Sequence, residues 1–221
     1  MKLHPIISFL CLALVVLGTS CKDDETVFLQ RSHDALSFPY LNSTEELLVL
    51  SNGRWRVVPN DPWISCSPEE GQGNGKSEQP VGITVLQNDG AERSGSVTLT
   101  DGLKELVIRI TQEDGFFAIG NPSIATSFDL YEELTDKRVT IPYQKSKPGY
   151  KANVTASLEG AGAEGIAIES LTDYEMEVGD GAIPLNLSGT PTRKGPITVK
   201  LHVEITTTGA DYNLTAESRA K

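Results

Sequence analysis

Between positions 81 and 110 apolar side chains fall on every second residue: Val81, Ile83 and Val85, then Val97 and Leu99, then Leu106, Ile108 and Ile110. A period of two sends successive side chains to opposite faces of an extended chain, so each run has one face to bury and one to wet. Helical spacing would scatter the same residues around an axis, which excludes a helical core here. Turn material at 88–90 separates the first two runs. Upstream, segments 54–58 and 64–66 alternate in the same way around Pro59, Asn60, Asp61 and Pro62, giving a strand, corner, strand reading. Two further strands are expected at 35–40 and 46–50, parted by Asn42, Ser43 and Thr44. Trp55 and Val57 share a face opposite Arg54 and Arg56, so Trp55 is expected in the core. Trp63 follows a proline and has two readings, a plug at the end of a sandwich or an exposed ring that stacks on a sugar. The loop 69–79 is rich in Gly, Glu and Ser and is expected to be mobile.

The pattern returns after 137. Val139, Ile141 and Tyr143 alternate, as do Ala152 to Leu158, Ile166 and Ile168, Ile183 to Leu187, and Ile197 to Ile205. Five runs at short spacing, punctuated by Lys-Pro-Gly, Gly-Ala-Gly, Gly-Asp-Gly and Thr-Pro-Thr-Arg-Lys-Gly, predict a second antiparallel sandwich. Segment 185–199 resembles the late strand pair of Ig-like domains in cell-surface proteins. Phe116, Phe117 and Ile119 either pack at the junction or form the first strand of the second module. A single helical turn is suggested at 130–134, and the polar segment from Thr206 is a last strand or a loose tail.

The chain has 221 residues, enough for two modules that each bury a modest core. Its first part reads as an export leader: Lys2, an apolar stretch at 6–17, then Gly18, Thr19 and Ser20 before Cys21. The segment L-G-T-S-C resembles a bacterial lipoprotein signal, which implies cleavage after residue 20 and lipid on Cys21. An ordinary secretory leader is the alternative. A chain with several acyl groups is stably held, each buried methylene adding about 0.8 kcal/mol, so the membrane would be met through the lipid anchor only. Lys22, Asp23, Asp24 and Glu25 serve as a solvated tether, and they also resemble the acidic export motif of Bacteroidetes surface lipoproteins. The expected location is the outer membrane, facing outward.

Charge excludes one class of partner. With a net charge of -11, a pI near 4.7 and no basic run, nothing supplies the Lys and Arg needed to neutralise nucleic acid phosphates. Catalysis is not expected. Once Cys11 leaves with the leader and Cys21 is lipidated, Cys66 stands alone, on the same face as Ile64, as a small buried thiol. His33 lies in a charged turn and His202 on the polar face of its strand, neither with a metal or triad partner in sequence. Glu45 with Glu46, Glu69 with Glu70 and Glu132 with Glu133 point to opposite faces of extended chain rather than across a cleft. No catalytic residue, metal or cofactor is expected.

One resemblance runs through the first half. Trp55, a W-I-x-x-S-P segment made by Trp63, Ile64, Ser67 and Pro68, then Gly71 and Gly73, the hairpin R-S-G-S-V-T-L-T from Arg93, and a strand closing on Thr111 and Gln112 resemble the BACON domain of Bacteroidetes surface proteins. That resemblance, over roughly 35–113, implies an immunoglobulin-like module and an association with carbohydrate or mucin, or a spacer role. The combined expectation is an all-β chain of two tandem immunoglobulin-like β-sandwich domains after a cleaved signal peptide. Its parts are the leader 1–20, an acidic tether and first strand 21–34, a BACON-like sandwich 35–114 and a second sandwich 115–221. Sugar binding needs exposed aromatic faces in or near turns, which nominates Trp63, Tyr150, Tyr174 and Tyr212. The partner is then a polysaccharide or mucin glycan. A surface protein held by an apolar patch or open strand edge is the alternative.

Overall fold

The computed structural model describes residues 27–221. The expected leader, the lipid anchor expected at Cys21 and the charged residues 22–25 lie outside the described residues. What is described is two tandem immunoglobulin-like sandwiches.

The first contains β1 (Leu29–Arg31), β2 (Ala35–Phe38), β3 (Ser43–Ser51), β4 (Arg54–Pro59), β5 (Ile64–Ser67), β6 (Glu70–Gln72), β7 (Gln79–Val85), β8 (Arg93–Thr100) and β9 (Glu105–Gln112). One sheet has the order β1-β3-β7-β5 and faces a sheet of order β2-β9-β8-β4-β6. All pairs are antiparallel except β2 with β9, where Ala35 to Phe38 run beside Arg109 to Gln112. The alternation fills the space between the sheets: Val81, Ile83, Val85, Val97, Leu99, Ile108 and Ile110 are all fully buried. Each such side chain contributes about 1.5–3 kcal/mol through removal from water. Trp55, 3% exposed, is part of this core, and so is Cys66.

One segment of the first module differs from the sequence reading. The segment expected to be a mobile loop at 69–79 contains β6, whose Gln72, Gly71 and Glu70 pair with Arg54, Trp55 and Arg56. Beyond it, Asn74 Oδ1 accepts from the backbone N–H groups of Lys76 and Ser77, both at 2.9 Å. A side chain that caps its own turn in this way supplies the order that composition alone did not reveal.

The second sandwich contains β10 (Ala118–Ile119), β11 (Lys137–Ser146), β12 (Lys151–Glu159), β13 (Ile166–Ile168), β14 (Leu171–Glu175), β15 (Gly179–Gly189), β16 (Gly195–Ile205) and β17 (Ala210–Ala220). Its sheets are β10-β11-β15-β13 and β14-β12-β16-β17. The tail from Thr206 resolves into a turn and then β17, which pairs with β16 along its whole length, from Ile205 with Ala210 to Gly195 with Ala220. No helical turn forms at 130–134. Instead Leu130 donates to the Lys221 carbonyl at 3.0 Å and Leu134 to the Gly189 carbonyl at 2.9 Å, so partners across the module take the backbone groups a helix would have used. Phe117 and Ile119 pack on the second core, while Phe116 stays 57% exposed.

Candidate functional site

A buried amide helps to organise the end of the first module. Asn88 is 4% exposed; its side-chain NH2 donates to the carbonyls of Ala91 and Glu113, each at 2.8 Å. Its backbone N–H donates to the Tyr40 carbonyl at 2.7 Å, and Gly115 donates to the Gly90 carbonyl at 2.8 Å. The chain leaving β9 is thereby laced onto the loop between β7 and β8, and Asp89 of that loop is presented to the second module.

From the other side comes a bulge in β11. Its register with β15 shifts between Tyr143 and Ser146, and Lys145 sits there at φ 56°. A bulge bends its strand and re-aims the side chains that follow. Lys145 Nζ donates to the Asp114 carboxylate at 2.6 Å and to the Asp114 carbonyl at 2.9 Å. The Ser146 carbonyl accepts from the Tyr40 hydroxyl at 3.4 Å. Lys147, 3% exposed, pairs with Asp89, whose other donor is the Gln87 amide at 2.8 Å. Hydrogen bonding from Lys147, then from Gln87, holds the Asp89 carboxyl below its ordinary value. The Lys145 hydrogen bond does the same first of all for Asp114.

Against the Lys147–Asp89 pair opens a cleft of about 540 Å³. Its walls are Phe116 and Phe117 from the linker, Tyr150 after β11, Thr207 and Thr208 from the turn between β16 and β17, and Ala210 and Tyr212 of β17. Phe117 meets Tyr150 edge-on, ring centroids 5.5 Å apart, and lies 6.5 Å from Tyr143. Tyr143 is itself fixed, its hydroxyl accepting from the Glu177 N–H at 2.9 Å. The volume lies within the roughly 300–1,000 Å³ of ligand-holding clefts, and aromatic walls with a few polar groups are their usual lining.

Of the four rings nominated from sequence, Tyr150 and Tyr212 come together here, and Trp63 and Tyr174 do not. The Arg93 guanidinium stands 4.3 Å over the centre of the Trp63 ring, a cation–π contact that covers one face. Backbone at Gly95 closes on the same ring, since a Cβ there would come within 2.7 Å of it. Tyr174, on β14, packs against the second core and donates its hydroxyl to the Ala182 carbonyl at 3.3 Å. The other groups weighed for chemistry lie apart from the cleft. His202 on β16 faces Asp211 at 3.5 Å and Asn213 at 3.1 Å, both on exposed β17 positions. Burial, with a smaller push from Glu69, raises the Cys66 thiol to about 11, so it stays protonated at neutral pH. Among the described residues no group of three or more His, Cys, Asp or Glu is arranged to hold a metal ion.

Sequence reasoning missed Asp89, Lys147, Thr207 and Thr208. The paired phenylalanines just past the module boundary marked the place, but their partners come from three segments far apart in the chain.

Comparison with known proteins adds a family to this geometry. Residues 53–113 match the BACON family model, described as "Putative binding domain, N-terminal", so the first module carries a BACON domain over that stretch. No curated protein matches the chain. Among solved structures it is similar to a Bacteroides ovatus GH5 xyloglucanase in complex with a XXXG heptasaccharide, at 25% identity and TM-score 0.36, over 39% of this chain and 19% of that one. It is also similar to the calcium binding domain CBD12 of CALX1.1, at 10% identity and TM-score 0.40, over 81% of this chain and 82% of that one. The D0-D1 domain of Intimin is a third, at 12% identity and TM-score 0.28, over 88% and 98%. The chain thus spans less than a quarter of the xyloglucanase, 19% of its length.

Proposed function

We propose that this chain is a non-catalytic surface lipoprotein of a Bacteroidetes-type bacterium that holds a carbohydrate in the cleft between its two modules. The observation that carries the reading is the convergence of Phe116, Phe117, Tyr150 and Tyr212 around one cleft floored by a fixed polar pair. Sugars pair an apolar C–H face with a rim of hydroxyls, and aromatic walls beside polar groups complement both. The BACON match over 53–113 supports a binding role. Display at the cell surface rests on Cys21 and on the acidic residues that follow it.

A glycan array probed with the full chain tests the binding, and Tyr212→Ala should weaken any hit about tenfold, the loss typical of a buried aromatic anchor. Absence of every hit, or hits unmoved by that change, would overturn the reading. For the anchor, Cys21→Ala should abolish incorporation of radiolabelled palmitate and release the protein from the membrane fraction.

A second reading, a protein partner, is favoured by β17 lying at the edge of its sheet. Asp211, Glu217 and Arg219 on that strand are exposed, and charges on an edge act against indiscriminate strand pairing.

A further inference from the structure

We infer that the cleft between the modules accepts uncharged glycan chains and turns away acidic ones. This rests on the carbohydrate reading above and adds the charge class of the ligand. Binding a sulfate, uronate or sialate group requires a guanidinium or ammonium that can still donate, because the desolvated oxyanion needs charge-assisted hydrogen bonds. Among the described residues Lys147 is the one cation lining the cleft, and its side chain is 4% exposed and paired with Asp89. The nearby cations lie outside the cleft wall and face acceptors of their own. Lys145 holds Asp114 at 2.6 Å, Lys151 faces Glu175 at 3.5 Å, and Arg93 donates to the Gln112 side chain at 2.8 Å and the Leu86 carbonyl at 2.7 Å.

Asp89, by contrast, is 68% exposed, and it stays ionised because its two donors favour the charged form. A ligand entering the cleft therefore meets an accepting carboxylate and no donating cation. The chain as a whole carries -11, which adds a repulsive field against polyanions. What remains on offer suits sugar hydroxyls. Thr207 and Thr208 donate to the carbonyls of Gly149 at 3.1 Å and Ile205 at 3.5 Å and accept from the N–H groups of Lys151 at 3.2 Å and Ala210 at 3.3 Å, which leaves each oxygen one lone pair for a sugar hydroxyl. The exposed ring of Phe116 and the half-buried ring of Tyr212 supply apolar surface for a sugar face.

Affinity electrophoresis of the full chain separates the possibilities. Gels containing galactomannan, mixed-linkage glucan or xylan are compared with gels containing polygalacturonate, alginate or chondroitin sulfate. The expected result is retardation in one or more neutral gels and free migration in all acidic ones at physiological salt. Phe116→Ala, at a position exposed enough to leave the fold intact, should weaken the neutral interaction about tenfold. Thr208→Lys, which adds an unpaired ammonium at the rim, should create salt-sensitive retardation in an acidic gel. Retardation of the unaltered chain by an acidic polysaccharide overturns the inference while leaving the carbohydrate reading standing. Neutral retardation that survives Phe116→Ala puts the ligand elsewhere and overturns the assignment to this cleft. No retardation in any gel removes the carbohydrate reading itself, and the inference with it.

Discussion

At Gly71 a Cβ would overlap the indole of Trp55, so the backbone of β6 passes directly over that ring. The indole is fixed at its other side, its N–H donating to Gln79 Oε1 at 2.6 Å, while the Gln79 amide donates to the Gln72 carbonyl at 3.1 Å. One tryptophan thus joins β4, β6 and β7, and the Gly-rich segment between them is ordered by it. Gly71→Ala is expected to cost about 2 kcal/mol by overpacking, lowering the melting midpoint of the first module by roughly 10 °C. Differential scanning calorimetry checks this, and an unchanged midpoint would mean that β6 can move off the ring at little cost. The residue types named from the sequence were informative in this part of the chain. Trp55 and Cys66 went to the core because a period of two assigns a face to each residue. Trp63 was ambiguous for a physical reason: its environment depends on Arg93 and Gly95, thirty or so positions away, and no local pattern encodes a cation stacked on a ring.

At the level of elements, the bulge in β11 is what turns two adjacent sandwiches into one jointed unit. It sends Lys145 and Lys147 to Asp114 and Asp89 on the first module. The two halves of the Lys147–Asp89 pair differ in exposure, 4% against 68%, and this asymmetry predicts unequal mutants. Lys147→Met keeps an apolar stem in the buried site and releases Asp89 to water, so stability should change by less than about 1 kcal/mol. Asp89→Asn leaves a buried ammonium without its counter-charge and should cost about 2 kcal/mol. Chemical denaturation of both variants tests the order, and equal or reversed losses would contradict it. Strands with large alternating side chains, β7, β8, β11, β15 and β16, could be read from sequence. By contrast, β17 presents Tyr212, Leu214, Ala216, Ser218 and Ala220 on its inner face, and with only the first two large its alternation is too weak to stand out before β16 is beside it. Of the cleft's rings only Tyr150 and Tyr212 were nominated for sugar, with Phe116 and Phe117 read as junction residues, because the cleft's shape depends on how the linker is laced to Asn88.

For the whole molecule, two lysine–carboxylate pairs bridge the modules, so the angle between them is expected to depend on pH. Asp89 and Asp114 both have pKa values lowered from an ordinary 3.8 by their lysine partners. A carboxyl whose pKa is lower in the folded state binds its proton less readily there than in the unfolded chain. The stabilisation is thus fully present above 3.8 and is lost as pH falls below it. Small-angle scattering across that window should show the particle lengthening while circular dichroism retains its β signature; a constant radius of gyration would mean that the ion pairs do not set the angle. The route of the chain through the second sandwich has a mechanical corollary. Entry is beside the cleft, at Phe117, whereas β17 starts near the cleft at Ala210 and runs about 33 Å before Ala220 meets Gly195 at the far end. Tension applied between those two ends would act along β17, loading its bonds to β16 in parallel. Rupture would need the whole ladder to slip together, a much stronger arrangement than peeling one rung at a time.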